Sequence, residues 1–173
     1  QPESLDVREQ YYLSMSISVS VVSCLREYLG DAVVVKWPND IYVGDKKLAG
    51  TLIENTLRGI DIANSIVGMG INVNQTTFTS DAPNPISMKD ITGKDFDRAK
   101  IVEHMAHSLS VSLTRIDNKQ YDTILNEYMQ ILYRNDGKLY PFSDKHGLFF
   151  ARIDYVEPDG HIHLVDQQGT DRR

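Results

Sequence analysis

The residues best suited to chemistry lie in three short segments between positions 36 and 72. The segments are Lys36-Trp37-Pro38-Asn39-Asp40, Lys47-Leu48-Ala49-Gly50 and Gly68-Met69-Gly70-Ile71-Asn72. Lys47 supplies a positive charge, and the amide of Asn72 can both donate and accept a hydrogen bond. Glycines inside strands allow a flat ligand or another backbone to come close. The combination suits a nucleotide phosphate next to a flat ring.

Pro38 predicts a break in the first of these segments. Proline holds the preceding residue, Trp37, in an extended conformation and removes a donor from the strand ladder. We therefore expect the strand to stop there and to expose the side chains of Asn39 and Asp40. Trp37 itself is expected to be a packed anchor below the site.

Each of these features also has an ordinary explanation. A lysine after a turn is usually a solvated edge charge, strand glycines usually mark bulges, and Asn39-Asp40 would fit a type I turn. Their occurrence together on neighbouring strands favours a ligand site.

Short β-branched runs separated by turn residues predict an antiparallel meander around these segments. The runs cover residues 32–36, 41–43, 47–54 and 60–74. Gly44-Asp45 and Arg58-Gly59 supply the turns, because these residues tolerate positive φ angles.

Residues 7–29 are compatible with two structures. Four serines, at positions 14, 16, 18 and 20, alternate with apolar residues as they would in a strand. Tyr12, Met15 and Val19 also follow helical spacing, and Gly30 is a natural helix stop. Because the run is too long for a usual strand, we predict a buried helix whose small serines pack against the sheet.

The chain after the meander is predicted in three parts. Residues 75–95, with Asn84 between Pro83 and Pro85, lack periodicity and predict a long surface loop, of a length often used for lids. Two amphipathic helices then follow from the apolar stripes Val102-Met105-Leu109-Leu113-Ile116 and Tyr121-Ile124-Leu125-Tyr128-Leu132.

A small β appendage is predicted after Asn135-Asp136-Gly137. Its strands lie near residues 138–140, 148–156 and 162–165, with a turn at Pro158-Asp159-Gly160 and no closing strand or helix after them. His161 and His163 alternate along one strand and could share a face. Without a cysteine or a carboxylate pair beside them, a solvent-facing role is favoured over metal binding.

Composition narrows the classes of partner. A net charge of -6 and a pI near 5.3 argue against broad electrostatic binding to nucleic acid or an anionic membrane. The single cysteine, Cys24, cannot form an intrachain disulfide, and no run approaches the roughly 20 apolar residues of a membrane span. These observations favour the cytoplasm and small-molecule or protein partners.

The three segments also carry a family resemblance. Lys-Trp-Pro-Asn-Asp-Ile-Tyr-Val, then Lys-Lys-Leu-Ala-Gly-Thr-Leu-Ile-Glu and Gly-Met-Gly-Ile-Asn-Val-Asn resemble the central catalytic segment of biotin protein ligases in order and spacing. The resemblance covers most of residues 10–165. It implies an α+β fold of the class II synthetase-like biotin/lipoate ligase type, with a mixed or antiparallel sheet packed against helices and a small C-terminal SH3-like β domain. The domain boundaries expected are 1–135 for the catalytic part and 136–173 for the small domain.

The resemblance implies specific roles for these residues. Lys47 would contact the biotin carboxylate and the α-phosphate as the catalytic residue. The biotin channel would be lined by Gly50, Leu52, Gly68 and Gly70. Asn39 and Asp40 would lie near the phosphates of ATP, with Asp40 near Mg²⁺, and Asn72 near the nucleotide. Phe78, or the stretch from Asn84 to Met88, would fold over the adenylate.

One expected part of the family pattern does not occur in the sequence. The Gly-Arg-Gly-x-x-Gly loop that precedes the buried helix in the family is missing before Tyr12. We therefore expect the 173 residues to be a fragment that is inactive alone. The same resemblance implies a biotin carboxyl carrier domain as protein partner and is compatible with a homodimer, while no basic recognition helix supports DNA binding.

Two other functions remain open at the level of sequence. A lipoate-protein ligase shares the fold and the adenylation chemistry, although the Lys-Trp-Pro-Asn-Asp run disfavours it. A non-catalytic binding or regulatory module could use the same sheet to pair with a partner strand.

Overall fold

The computed structural model describes residues 5–79 and 84–173, which form two antiparallel sheets and four α-helices. A 3-10 turn at Val7–Glu9 precedes the first helix. The helices are α1 (Tyr11–Leu29), α2 (Met88–Thr92), α3 (Arg98–Asp117) and α4 (Tyr121–Gln130). The strands are β1 (Val33–Lys36), β2 (Asp40–Val43), β3 (Lys46–Arg58), β4 (Asp61–Ile71), β5 (Tyr140–Asp144), β6 (Gly147–Val156), β7 (Ile162–Asp166) and β8 (Asp171–Arg172).

The predicted buried helix is confirmed as α1, which is enclosed along most of its length. It stops at Gly30, whose φ of 74° suits glycine and whose N–H donates to the carbonyl of Arg26. The prediction that its serines pack against the sheet is wrong for two of them. Ser16 and Ser112 of α3 exchange hydrogen bonds of 3.2 and 2.8 Å, and Ser20 contacts the same hydroxyl, because small side chains let the two helices approach closely.

The first sheet confirms the predicted meander, with strand order β1-β2-β3-β4 and antiparallel pairing throughout. Gly44 and Gly59 adopt positive φ angles in the two predicted turns. Val33, Val35 and Ile41 are fully buried and share the hydrophobic core with α1. The far half of β3 and β4 leaves one face open, since alternate residues there are exposed.

The prediction of one long loop over residues 75–95 is wrong in part, because the segment contains α2. Ser87 begins this helix with a capping box: its hydroxyl accepts from the N–H of Asp90, whose carboxylate accepts from the N–H of Ser87. Met88 is fully buried and anchors the helix. Pro83, which belonged to the loop prediction, lies outside the described residues.

The two predicted amphipathic helices form, but the buried face of α3 is rotated relative to the predicted apolar stripe. Val102 and Leu113 are 67% and 38% exposed, whereas Ile101, Met105 and Ile116 are buried. Ser112 joins the buried face because it forms hydrogen bonds with α1. A search for apolar residues overlooks such a position. The stripe on α4 is confirmed, with Ile124 and Tyr128 buried.

The C-terminal segment forms a second sheet in the order β5-β6-β7-β8. Its first strand starts at Tyr140 rather than 138, and the expectation of no closing strand is wrong, because Asp171–Arg172 pairs with β7. Gly160 turns the chain between β6 and β7 with a φ of 100°. None of the helices in the described ranges is long and apolar enough to cross a membrane.

Candidate active site

The three segments singled out from the sequence meet across the middle of the first sheet. Asp40 on β2 pairs with Gly50 on β3, and Gly50 pairs with Gly70 on β4. Cross-strand partners point to the same side of a sheet, so these positions share one face. The strand break predicted at Pro38 is present, because the chain makes a turn between Lys36 and Asp40.

An ion pair lies at the centre of this face. The Lys47 Nζ atom is 2.6 Å from Oδ1 of Asp40, and both side chains are 27% exposed. A Cβ atom at Gly50 would be 3.1 Å from that Asp40 oxygen and 3.3 Å from Lys47 Nζ. Gly50 therefore leaves the space that the ion pair needs, and a larger residue would press on it.

The backbone of Lys47 is held by residues 84–86. Its N–H donates to the carbonyl of Asn84, and its carbonyl accepts from the N–H of Ile86, both at 2.9 Å. These bonds form a short parallel bridge between Lys47 and Pro85. The stretch predicted to fold over an adenylate thus borders the start of β3, beside the lysine.

The two asparagines use their amides within the protein. Nδ2 of Asn39 donates to the carbonyl of Thr51 at 2.7 Å, so this side chain is half-buried rather than freely exposed. Oδ1 of Asn72 accepts from Nε2 of Gln75 at 2.6 Å, while its Nδ2 lies 3.4 Å from the carbonyl of Lys47. Gln75 was missed by the sequence reasoning, and only its position directly after Asn72-Val73-Asn74 could have indicated it.

A strip without side-chain bulk runs along the open face beside the ion pair. A Cβ atom at Gly70 would meet nothing within 4 Å, and one at Gly68 only the Leu52 carbonyl at 4.0 Å. Leu52 pairs with Gly68 and is 63% exposed. Ile66, two residues before Gly68, is 68% exposed on the same face. The strip thus offers glycine-lined space next to apolar side chains.

Trp37 is not the packed anchor that was predicted. Its indole is 37% exposed and its Nε1 donates to the carbonyl of Gly160 at 3.0 Å. The turn at Pro38 moves the ring away from the core and towards the second sheet. Two buried tyrosines, Tyr11 and Tyr128, contact the carbonyl of Pro38 instead, and burial raises the pKa of both phenols above its ordinary value.

The histidines of the second sheet do have carboxylates beside them, contrary to the premise of the sequence reasoning. Ligand atoms of Glu157, Asp159 and His161 lie within 4.8 Å of one another, and His163 Nε2 is 2.7 Å from Glu157. The guanidinium of Arg173 donates to Glu157 at 2.6 Å and to Asp159 at 3.1 Å. A side-chain cation thus already balances these carboxylates, which favours an ion-pair cluster over a metal site.

Known protein sequences are similar to the part of the chain that carries the candidate site. A model of the biotin/lipoate A/B protein ligase family matches residues 2–72. The bifunctional ligase/repressor BirA of Salmonella typhimurium is 31% identical over 121 residues, which are 69% of this chain and 38% of that protein. Biotin--[acetyl-CoA-carboxylase] ligase of Paracoccus denitrificans is 25% identical over 101 residues, 56% of this chain and 42% of that protein. The chain spans less than half the length of these relatives.

Solved structures show the same fold. Biotin protein ligase from Aquifex aeolicus in complex with biotin and ATP superposes with a TM-score of 0.75 at 24% identity, over 98% of this chain and 76% of that chain. A biotin protein ligase-like protein of unknown function from Silicibacter sp. TM1040 gives a TM-score of 0.77 at 12% identity, over 99% and 74%. The α+β fold with antiparallel sheets and helices is therefore shared. Together with the sequence matches, the shared fold supports a biotin protein ligase catalytic core in this chain.

Proposed function

We propose that the protein containing this chain activates biotin with ATP to biotinyl-AMP and transfers the biotinyl group to a lysine of a biotin carboxyl carrier domain. The observation that carries the proposal is the Lys47–Asp40 ion pair over Gly50, at the edge of the glycine-lined strip. It places a half-buried cation where an anionic ligand lying on the strip would end. The relatives named for biotin ligation support biotin as that ligand.

Lys47 is assigned to the first chemical step. An oxygen of the biotin carboxylate attacks the α-phosphorus of ATP, an O–P bond forms, and pyrophosphate leaves. Both reactants are anions, so a fixed ammonium group offsets their repulsion and stabilises the charge that develops on the phosphoryl oxygens. Asp40 holds the ammonium in place by its ion pair.

The glycine strip is assigned to biotin. Gly50, Gly68 and Gly70 leave room for the flat ring system, and the exposed side chain of Leu52 offers it an apolar contact. Burying that apolar surface favours binding by about 25 cal/mol per Å². Without side chains at the glycines, the ligand can lie directly on the backbone of the sheet.

Asn39, Asp40 and Asn72 are assigned to the nucleotide. The ion pair uses Oδ1 of Asp40, so the carboxylate retains its second oxygen for a cation. Mg²⁺ prefers such oxygen ligands and commonly shares them with substrate phosphates, so Asp40 fits a role as its protein ligand. When bound, Mg²⁺ would neutralise phosphate charge during the displacement. Asn72 lies against the Lys47 carbonyl, at the end of β4, where its amide would meet the nucleotide.

The second step needs no covalent enzyme intermediate. The unprotonated amine of the acceptor lysine attacks the carbonyl carbon of the mixed anhydride, an amide forms, and AMP leaves with the release of one proton. Water must be excluded until the acceptor arrives. Phe78, or the stretch from Asn84 to Met88, is proposed to cover the adenylate, because Asn84 and Ile86 already bond the Lys47 backbone.

The wider organisation is proposed from the same family resemblance. Residues 1–135 are assigned to the catalytic domain and residues 136–173 to a small SH3-like domain, of which β5 to β8 are the strands described. The name of the Paracoccus relative supports a carboxylase as the source of the carrier domain. Action in the cytoplasm and a homodimer are compatible with this assignment.

The test is the mass of an acceptor domain. The gene product that contains this chain is incubated with ATP, Mg²⁺, biotin and a biotin carboxyl carrier domain. The domain should gain the mass of one biotinyl group, and a carrier whose acceptor lysine is replaced by arginine should gain none. No mass gain on the intact carrier would refute the transfer step.

A further inference from the structure

Two buried tyrosine hydroxyls meet at one backbone carbonyl beside the candidate site. The Tyr11 hydroxyl oxygen lies 2.5 Å from the carbonyl oxygen of Pro38, and that of Tyr128 lies 3.2 Å from it. The two hydroxyl oxygens are 3.1 Å apart. Tyr11 begins α1 and Tyr128 lies in α4, so two helices far apart in sequence hold the same turn.

The geometry fixes how the two protons can be shared. Each phenol has one proton, and burial raises both pKa values, so both groups remain neutral donors at physiological pH. Tyr11 makes the shorter contact and donates to the Pro38 carbonyl. Tyr128 donates either to the same carbonyl or to the Tyr11 oxygen. The Pro38 carbonyl is thus held by a small network, and loss of one hydroxyl leaves the other in place.

The carbonyl held in this way precedes the residues assigned to the nucleotide. Asn39 follows Pro38 directly, and Asp40 is the first residue of β2 and the partner of Lys47. The residue before Pro38 is also held, since the Trp37 indole donates to the Gly160 carbonyl. A shift of the Pro38 carbonyl would therefore move the Asn39 amide and the Asp40 carboxylate together.

We infer that Tyr11 and Tyr128 are positioning residues, which hold the turn at Pro38 so that Asn39 and Asp40 meet the phosphates of the nucleotide. The inference deepens the proposed function and rests on it for the identity of the ligand. The structural part, that the hydroxyl pair fixes this turn, stands on the contacts alone. Neither tyrosine lies on the glycine strip, so the pair acts on the nucleotide side of the site.

The test uses the double variant Tyr11→Phe/Tyr128→Phe, which removes both hydroxyls and keeps both rings. Without the two hydroxyls the Pro38 carbonyl loses both of these donors, and we expect roughly a tenfold loss when that cost falls on the bound state. We expect the KM for ATP to rise by roughly tenfold while the KM for biotin stays within about twofold of the parent. Each single variant should lose less, because one donor remains.

Two readouts do not depend on activity. Trp37 is the only tryptophan and adjoins Pro38, so quenching of its emission by acrylamide reports on the turn. The side-chain amide resonance of Asn39 reports on its bond to Thr51. Both should change in the double variant of the ligand-free protein. If the parent forms no adenylate, the proposed function fails, and these two readouts still decide whether the pair positions the turn.

Tyr12→Phe is the matched control. Tyr12 is the next residue of α1, equally buried and stacked on Tyr121 at 4.4 Å, and its hydroxyl makes no hydrogen bond to the described residues. This variant should match the parent in every readout. A folded double variant with parental Trp37 quenching and an unchanged Asn39 resonance would overturn the inference. If the double variant does not fold, both single variants are measured in the same way. Tyr11→Phe removes the shorter contact and should change both readouts in part, and parental Trp37 quenching with an unchanged Asn39 resonance in both single variants would overturn the inference.

Discussion

Lys47 and Asp40 form an ion pair that is only partly exposed, with 27% of each side chain accessible. Ion pairs at the protein surface add little stability, with a median of about 0–1 kcal/mol. The Lys47–Asp40 pair is therefore better explained by its effect on the position of the lysine ammonium. The pair keeps the lysine ammonium over Gly50 at the end of an open strip. A ligand carboxylate or phosphate can then compete for the same cation.

Replacing Lys47 tests this assignment at the residue scale. Lys47→Ala should slow formation of biotinyl-AMP by roughly a hundredfold or more, the scale of losing one preorganised charge donor. The fold should survive, since the side chain is not part of the hydrophobic core. Single-turnover adenylate formation is the measurement. Lys46→Ala, which removes the exposed neighbouring charge, is the control, and equal rates for the two variants would remove Lys47 from the mechanism.

Replacing Gly70 tests whether the glycine strip binds biotin. Gly70→Val should block biotin binding while the thermal stability stays within ordinary mutational limits, because its Cβ atom would enter open space rather than the core. Calorimetric titration with biotin is the measurement. Asn64→Val, on the same strand and the same exposed face, should bind biotin like the parent. Parental affinity in Gly70→Val would show that the glycine serves the sheet alone.

Residue types alone could predict the location of the site but not its internal contacts. Lys47, Gly50 and Gly70 stand out in the sequence because charge and glycine are unusual inside strands. The Asp40 partner of Lys47 depends on strand register, which includes a bulge after Ile41 that no local pattern marks. Tyr11 could not be predicted to contact Pro38, since its role arises from the packing of α1 against the turn.

At the scale of elements, Asp166 closes the second sheet through one carboxylate. Oδ2 accepts from Nε of Arg172 at 2.8 Å, and Oδ1 accepts from the N–H groups of Gln168 and Thr170, both at 2.9 Å. The hydrogen bond from Arg172, followed by those from the backbone, lowers the pKa of Asp166 below its ordinary value. The short strand β8 depends on these contacts.

The lowered pKa predicts how this hairpin responds to acid. Because the folded pKa lies below the unfolded value of about 3.9, the carboxylate stabilises the hairpin above roughly pH 4 and loses this effect as the pH falls through the folded value. The Arg172 Nε–H resonance should lose its hydrogen-bonded shift over that range. In Asp166→Asn the shift should be lost already at pH 7. Asp171→Asn, an exposed carboxylate on β8, is the control, and an Arg172 resonance in Asp166→Asn that equals the parent's would contradict the account.

The elements themselves were largely predictable, because α1, the meander and α4 follow from periodicity and turn residues. The errors share a cause. Ser112 is buried because it hydrogen-bonds α1, not because it is apolar. A prediction based on apolar residues alone therefore placed the buried face of α3 at the wrong angle around the helix. α2 is a five-residue helix set by a capping box, which is too short to show periodicity.

At the scale of the whole molecule, the two sheets are joined at the candidate site. The carbonyls of Pro158 and Gly160, in the turn between β6 and β7, accept from the Tyr11 N–H and the Trp37 indole, both at 3.0 Å. Ile153 and Leu164 of the second sheet belong to the same hydrophobic cluster as α1. The second sheet thus supports the turn that carries Asn39 and Asp40, which no sequence pattern indicated.

Gly160 tests this connection. A Cβ atom there would lie 2.8 Å from Cδ2 of Tyr11, and the φ of 100° disfavours other residues. Gly160→Ala should lower the free energy of unfolding by ~1–3 kcal/mol and shift the emission of Trp37. Urea unfolding followed by that emission is the measurement. Gly169→Ala is the control, because its φ is also positive but no atom lies within 4 Å of its Cβ position. If both substitutions lowered the free energy of unfolding equally and neither changed the Trp37 emission, backbone strain alone would explain the effect of Gly160→Ala.

The measurement that tests the central claim most directly is pyrophosphate release by the gene product containing this chain, with ATP and Mg²⁺ and either biotin or lipoate. The account predicts release that depends on biotin, that is not supported by lipoate and that is lost in Lys47→Ala. Release with lipoate in place of biotin would identify a lipoate ligase. No release with either acid, in a folded protein, would contradict the account and leave a binding module on the same fold.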